Sequence, residues 1–93
     1  MIRNAVVGLM SLALLGSVGG WALAEDQGAA DIYGRGVHAY NSGDLFKATE
    51  LLTQLINKQT IDPRVYYFRG LAQAGLGSID AARADFAKGA ELE

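Results

Sequence analysis

Histidine, cysteine and serine, which often act in catalysis or metal binding, are few in this sequence. Those present are not spaced as in catalytic or metal-binding motifs. His38 is the only histidine, and there is no cysteine. Because a protein metal site needs three or four ligands, we expect no metal site and interpret His38 as a solvated or partly packed helix residue. No serine lies in a nucleophile motif with a histidine and an acid; the serines are Ser11, Ser17, Ser42 and Ser78.

The carboxylates do not suggest a catalytic pair either. Asp80 and Asp85 lie five residues apart on one predicted helix, so they should point to different sides, and we interpret both as solvated. The formal net charge is −2, and the sequence has no basic footprint of the kind that binds nucleic acid. We therefore expect a protein that is not an enzyme, needs no cofactor and does not bind nucleic acid.

The segment over residues 1–24 is typical of a cleaved export signal. Arg3 supplies a positive charge, and a largely apolar run follows as far as Leu15. Ala22-Leu23-Ala24 has the small-x-small pattern that signal peptidase recognises. We predict cleavage after this pattern, a short mobile leader over Glu25–Ala30, and a protein that is exported to the periplasm or secreted.

The same segment could instead be an uncleaved anchor. Residues 5–24 contain no charge, and about 20 apolar residues suffice to span a bilayer. Glycines and a serine in the second half weaken a helix, and the flank after Ala24 is acidic rather than a basic stop signal. Cleavage is favoured on these grounds, and anchoring to the inner membrane, the only membrane contact we consider, is the alternative.

The remaining chain contains an internal repeat. When the sequence is aligned with itself at an offset of 34, small residues align with small residues and large apolar residues with large apolar residues. Self-similarity at such a period is typical of repeat proteins. The aligned pairs are Gly36 with Gly70, Gly43 with Gly77, Leu45 with Ile79, Ala48 with Ala82, and Leu52 with Phe86.

Both copies have turn-forming residues at equivalent positions. Gly43 and Gly77 are placed where a helix ends in a left-handed residue, which favours glycine. Asp44 and Ser78 follow them and can each cap the next helix. Each copy is therefore predicted to be two helices joined by a tight corner.

The helices and the junction between the two copies are also predicted. Asp62 is a good helix cap, and Pro63 fits a first helical turn, where its missing N–H is no disadvantage. Apolar residues recur at helical spacing in the second helix of each copy. They are Leu45, Ala48, Leu51, Leu52, Leu55 and Ile56 in the first copy, and Ile79, Ala82, Phe86 and Ala90 in the second.

These residues resemble the tetratricopeptide repeat family, whose unit is a helix-turn-helix of this length. The resemblance implies an all-α fold, with two tetratricopeptide-type hairpins over residues 31–61 and 62–93 forming a short right-handed α-solenoid. It also implies a protein or peptide partner bound by an adaptor or scaffold. The matching residues are Gly36, Gly43, Asp44, Ala48, Leu52, Pro63, Tyr66, Gly70, Gly77, Ala82 and Phe86.

The family also implies that the first helix of each repeat lines a concave groove. Aromatic side chains dominate many binding surfaces at low entropic cost, which suits a peptide-binding groove. The same aromatics could instead be core residues between helices, since aromatics often are. The predicted groove residues are Tyr33, Val37, Tyr40, Asn41, Arg64, Tyr67, Phe68 and Leu71.

Two alternatives to the adaptor remain open. Repeat proteins usually need three repeats and capping helices, so two repeats could self-associate through the last helix, around Phe86, Ala90 and Leu92. The two repeats could also be the N-terminal module of a longer exported protein.

Overall fold

The computed structural model describes residues 28–93, and this segment contains four α-helices and no strand. Helix α1 covers residues 28–41. It is followed by α2 (Leu45–Asn57), α3 (Pro63–Gly75) and α4 (Ile79–Leu92). The expected all-α fold is therefore confirmed for this segment, whereas the predicted signal cleavage site and the alternative anchor lie outside the described residues.

The described part of α1 differs from one boundary expected from the sequence. Residues 28–30, which the sequence assigns to the mobile leader, are helical. Ala29 packs against a core cluster formed by α2 and α3. Two alanines with high helix propensity, one of them with a packing partner, extend α1 into the leader.

The corners within the two pairs of helices have the same backbone structure. Gly43 has φ +83° and Gly77 has φ +86°, a left-handed conformation that glycine adopts without steric penalty. In the first corner the N–H groups of residues 42, 43 and 44 donate to the carbonyls of residues 38, 40 and 39, at 2.9, 3.0 and 2.9 Å. In the second corner residues 76, 77 and 78 repeat these bonds to residues 72, 74 and 73, at 3.0, 3.0 and 2.9 Å. Every bond in the first corner thus has a counterpart one repeat period later.

The helix caps follow the sequence with one exception. The side chain of Asp44 accepts from the N–H of Lys47 at 3.2 Å, and that of Asp62 accepts from the N–H of Arg64 at 3.0 Å. Ser78 occupies the cap position of α4, but its side chain makes no capping hydrogen bond.

The C-terminus of α2 has a feature that the sequence did not suggest. Gln59 adopts φ 63°, and the N–H of Thr60 donates back to the carbonyl of Leu55 at 3.2 Å. This left-handed residue ends the helix where glycine would be the usual choice.

Close approach within each pair of helices depends on an equivalent glycine. A Cβ added to Gly36 would lie 2.9 Å from Leu52 Cδ2, and one added to Gly70 would lie 2.6 Å from Phe86 Cε1. Gly36 and Gly70 are one repeat period apart, as are Leu52 and Phe86. The large apolar residue of the second helix therefore lies over the glycine of the first in both hairpins.

Helix α3 joins the two hairpins by packing on α1 and α2. One buried cluster contains Ala39, Ala48 and Ala72. A second contains Leu52, Leu55 and Val65, with Ile32, Ile56 and Phe68 packed against it. Leu52 and Val65 are the largest fully buried side chains, so the core lies where the second hairpin meets the first.

A buried ion pair connects the second hairpin internally and reaches the first. Arg69 donates to both carboxylate oxygens of Asp85, at 2.6 and 2.7 Å, and to Thr53 Oγ1 at 3.2 Å. Gln73 also joins this pair, because its side-chain amide nitrogen faces Asp85 and donates to Oδ2 at 2.9 Å. This network joins α2, α3 and α4.

The interpretation of Asp85 as solvated is therefore wrong, because only 5% of this residue is exposed. The hydrogen bonds and charge of Asp85 raise the pKa of Arg69 above its ordinary value, against the opposing effect of burial.

None of the helices within residues 28–93 combines the length and the apolar character needed to cross a membrane.

Candidate functional site

Three aromatic rings and one arginine meet between α1 and α3, and we call this group, Tyr33, Tyr40, Arg64 and Phe68, the aromatic surface. The ring centroids of Tyr33 and Phe68 are 6.2 Å apart at an interplanar angle of 79°. Those of Tyr40 and Phe68 are 5.7 Å apart at 72°. Both pairs have the edge-to-face geometry that aromatic rings prefer.

Arg64 extends this surface towards solvent. Its Cζ lies 4.9 Å from the centre of the Tyr33 ring, within the range of a cation–π contact. Its side chain is 65% exposed. The guanidinium therefore covers one edge of the aromatic group while keeping one side in water.

Asp62 fixes the position of that guanidinium. Arg64 Nε donates to both carboxylate oxygens of Asp62, at 3.0 and 3.2 Å, and Nη2 donates to Oδ2 at 2.7 Å. These hydrogen bonds lower the pKa of Asp62 and raise that of Arg64. The cation on the aromatic surface is thus already paired with a carboxylate of the same chain.

The inner side of the aromatic surface belongs to the core. Tyr33 and Phe68 pack on the cluster of Leu52, Leu55 and Val65, and Tyr40 packs on the neighbouring alanine cluster. All three rings are half-buried. The inner side of each ring therefore packs in the core, as one interpretation of the sequence expected. The other side is partly exposed, as a groove residue would be.

Among the other predicted groove residues, Tyr67 is the one for which the structure shows a contact with a different helix. Tyr67 packs towards α4, where its ring lies against Gly89 and its hydroxyl donates to Glu93 Oε1 at 2.5 Å. That hydrogen bond raises the pKa of Tyr67 above its ordinary value. Val37 is half-buried, and Asn41 and Leu71 are exposed. Four of the eight predicted residues are thus brought together by the contacts described above, and Tyr67 is directed to another helix.

One residue that positions the site was missed as a site residue. Asp62 was identified from the sequence only as a helix cap, and the structure shows that the same carboxylate also holds Arg64. The sequence contained a signal for this second role. Asp62 lies at the start of a helix, two residues before an arginine, and a cap carboxylate lies beside the side chains of the first turn.

A separate depression of about 640 Å³ lies on the outer side of α1 and α2. His38 lies at its edge, where Nε2 is 3.5 Å from Ser42 Oγ. Within residues 28–93 no three histidine or acidic side chains are grouped closely enough to hold a metal ion. The residues lining the depression are Ala30, Asp31, Gly34, Arg35, His38, Ala39, Ser42, Asp44, Lys47 and Leu51.

The sequence matches no protein-family model, and no curated protein or solved structure matches it.

Proposed function

We propose that this protein is an exported, non-catalytic adaptor that binds a protein or peptide on the aromatic surface. The observation that carries the proposal is Arg64, held by Asp62 over Tyr33 beside Phe68. Aromatic and arginine side chains with fixed positions are enriched among the residues that dominate binding energy. Because their rotamers are already restrained by packing and by the ion pair, binding would order few additional side chains.

The proposed architecture is a short right-handed α-solenoid of two tetratricopeptide-type repeats. It is supported by the equivalent corner hydrogen bonds and by the equivalent glycine contacts, which recur at the period of the sequence repeat. In such an arrangement α1 and α3 would line the concave side, and the aromatic surface lies between these two helices.

The partner's chemistry follows from the charges on the surface. Asp62 already neutralises Arg64, so the surface offers ring faces, apolar edges and one compensated guanidinium. An extended segment with apolar or aromatic side chains and little charge fits this surface better than an acidic peptide, whose carboxylates would compete with Asp62.

The binding proposal is tested with a random peptide library selected on the purified protein, followed by titration of a selected peptide. Arg64→Ala and Tyr33→Leu should each weaken binding at least about ten-fold, which corresponds to about 1.4 kcal/mol. Tyr33→Leu keeps an apolar side chain for the core, and circular dichroism checks that both variants fold. Ile61→Ala is the control, because Ile61 is 80% exposed and lies outside the aromatic surface.

Two results would count against binding at this surface. One is a selection that enriches no peptide, and the other is equal affinity for the wild type and both aromatic-surface variants.

Export is tested separately by the intact mass of the protein purified from a host with a secretion pathway. The proposal requires a mature chain that begins at Glu25. A mass equal to the full sequence would instead favour the anchor formed by residues 5–24.

A further inference from the structure

The tyrosine hydroxyls of the aromatic surface are free to bond with a ligand. Tyr33 and Tyr40 make no side-chain hydrogen bond within residues 28–93. No buried side-chain oxygen or nitrogen in this part of the chain lacks a partner, so both hydroxyls must be in contact with solvent. Tyr67 differs, because its hydroxyl already donates to Glu93.

Arg64 adds further donors beside Tyr33. Its Nε and Nη2 atoms donate to Asp62, whereas Nη1 makes no hydrogen bond within residues 28–93. A guanidinium donates from every nitrogen and accepts at none, so the N–H groups of Nη1 are available to a ligand. The carboxylate of Asp62 accepts from the side chain and the backbone N–H of Arg64, and both of its oxygens are engaged.

The backbone beneath the rings supplies no free acceptor. Inside a helix each carbonyl accepts from the N–H four residues later. At the end of α1, the carbonyl of Tyr40 accepts from the N–H of Gly43. The acceptors that remain on the aromatic surface are the tyrosine hydroxyls, which can also donate. The surface therefore combines apolar rings with several donors and few acceptors.

This combination selects among extended ligands by their backbone chemistry. An N–H group that leaves water without finding an acceptor costs free energy comparable to a lost hydrogen bond. Proline has no N–H, and its carbonyl is an acceptor. The carbonyls of a bound α-helix already accept within that helix, so they would leave the donors of the surface unused. A proline-rich segment therefore matches the surface best.

The spacing of the rings is consistent with such a segment. Tyr33 and Tyr40 are seven residues apart on α1, which corresponds to about 10.5 Å along the helix axis, and the ring of Phe68 contacts both. A polyproline II helix presents equivalent residues about every 9 Å, because it has three residues per turn. A β-strand presents equivalent side chains about every 6.6 Å, which matches the tyrosines less well.

We propose that the aromatic surface binds an uncharged, proline-rich segment of a partner protein in the left-handed polyproline II conformation. This inference rests on the proposed function and specifies its ligand. Proline rings would pack on Tyr33, Phe68 and Tyr40, while the tyrosine hydroxyls and Arg64 Nη1 donate to backbone carbonyls. Pro63 is the only proline in the sequence and begins α3, so no part of this sequence can supply the segment.

The test is isothermal titration calorimetry of the purified protein with two capped peptides, one of ten L-prolines and one of ten D-prolines. The peptides share composition, charge and apolar area, but only the L-proline peptide forms the left-handed helix. The L-proline peptide should bind at least about ten-fold more tightly than its mirror image.

Two variants test the proposed donors. Tyr33→Phe and Tyr40→Phe each remove one hydroxyl and keep the ring that packs on the core, so the fold should be retained. Each should weaken binding of the L-proline peptide about three- to ten-fold, the usual contribution of one hydrogen bond. Tyr67→Phe is the matched control, because it removes a hydroxyl of α3 that donates to Glu93, and it should leave the affinity unchanged. Circular dichroism checks the fold of all three variants.

Three results would overturn the proline-rich ligand. They are no binding of the L-proline peptide, equal binding of both mirror images, and an affinity that neither Tyr33→Phe nor Tyr40→Phe lowers more than Tyr67→Phe does.

The peptide selection separates this failure from failure of the proposed function. Selected peptides that lack proline and lose affinity with Arg64→Ala and Tyr33→Leu would leave the adaptor proposal intact and exclude only the proline-rich ligand. A selection that enriches no peptide, together with no binding of either proline peptide, would contradict both.

Discussion

At the scale of single residues, the position of Asp85 shows how one side chain can connect several helices. Its carboxylate accepts two hydrogen bonds from Arg69, which also reaches Thr53 on α2. The side chains of Arg69 and Asp85 are only 19% and 7% exposed. Because neither the guanidinium nor the carboxylate is well hydrated, each depends on the opposite charge of the other for its stability.

We expect Asp85→Asn to lower the free energy of unfolding by about 2–4 kcal/mol, because it leaves the guanidinium of Arg69 poorly compensated. Urea denaturation followed by circular dichroism measures the change. The control is Glu91→Gln, which removes the same charge from the exposed pair of Lys88 and Glu91 on the same helix and should change stability by no more than about 0.5 kcal/mol. Equal effects of the two variants would show that the buried pair contributes no more to the free energy of unfolding than the exposed pair does.

The ion pair at the aromatic surface predicts a dependence on pH. The hydrogen bonds from Arg64 lower the pKa of Asp62 below its usual value of 3.8. A carboxyl whose pKa is lower in the folded state stabilises the fold above its unfolded pKa, and this contribution is lost as pH falls through the folded pKa. Wild type should therefore be more stable than Asp62→Asn at neutral pH, and the difference should shrink as the pH falls through the lowered pKa of Asp62.

Urea denaturation at several pH values checks this expectation. Asparagine also caps helices well, so the substitution mainly removes the charge. When Arg64 is replaced by glutamine, the difference in free energy of unfolding between proteins with aspartate and with asparagine at position 62 should vary much less with pH. A difference that persists unchanged in strong acid would contradict the assignment.

At the scale of helices, the glycines of α1 have different roles despite their similar surroundings in the sequence. A Cβ on Gly34 would meet nothing within 4 Å, whereas one on Gly36 would lie 2.9 Å from Leu52 Cδ2 and 3.1 Å from its Cγ. Leu52 is fully buried, so it has little freedom to move away. Gly70 is tighter still, because its Cβ would also lie 3.2 Å from the carbonyl oxygen of Ala82.

We therefore expect Gly34→Ala to stabilise the protein by about 0.5–1 kcal/mol, the usual gain when a glycine inside a helix is replaced. Gly36→Ala and Gly70→Ala should destabilise it by about 1–3 kcal/mol, because the added methyl overpacks each hairpin. Thermal and urea denaturation of the three variants measures these effects. If Gly36→Ala were as stabilising as Gly34→Ala, the close contact of α1 with Leu52 would be disproved.

At the scale of the whole molecule, the second hairpin repeats the backbone of the first but not its surroundings. Leu45 and Ile79 occupy equivalent positions, yet only Leu45 is covered by a following helix within residues 28–93. Ile79 is 48% exposed, whereas Leu45 is half-buried, so the same position differs in burial between the two hairpins.

The sequence by itself determined the local features of this protein. The corners at Gly43 and Gly77, the caps at Asp44 and Asp62 and the repeat period depend on backbone conformation and on short-range hydrogen bonds, which nearby residues specify. The sequence also showed that Gly36 aligns with Gly70 and Leu52 with Phe86, whereas the contact between the glycine and the large residue of each hairpin is seen only in the structure.

Only the tertiary structure decided which side chains are covered and which charges meet. Asp85 was interpreted as solvated because it lies five residues from Asp80 and points to another side of the same helix. Its partner, Arg69, approaches from a different helix, 16 residues earlier in the chain. Tyr67 and Phe68 are neighbours in sequence, yet one packs towards α4 and the other towards α1. The physical reason is that burial depends on which helix lies opposite, and helical periodicity defines a face without defining its partner.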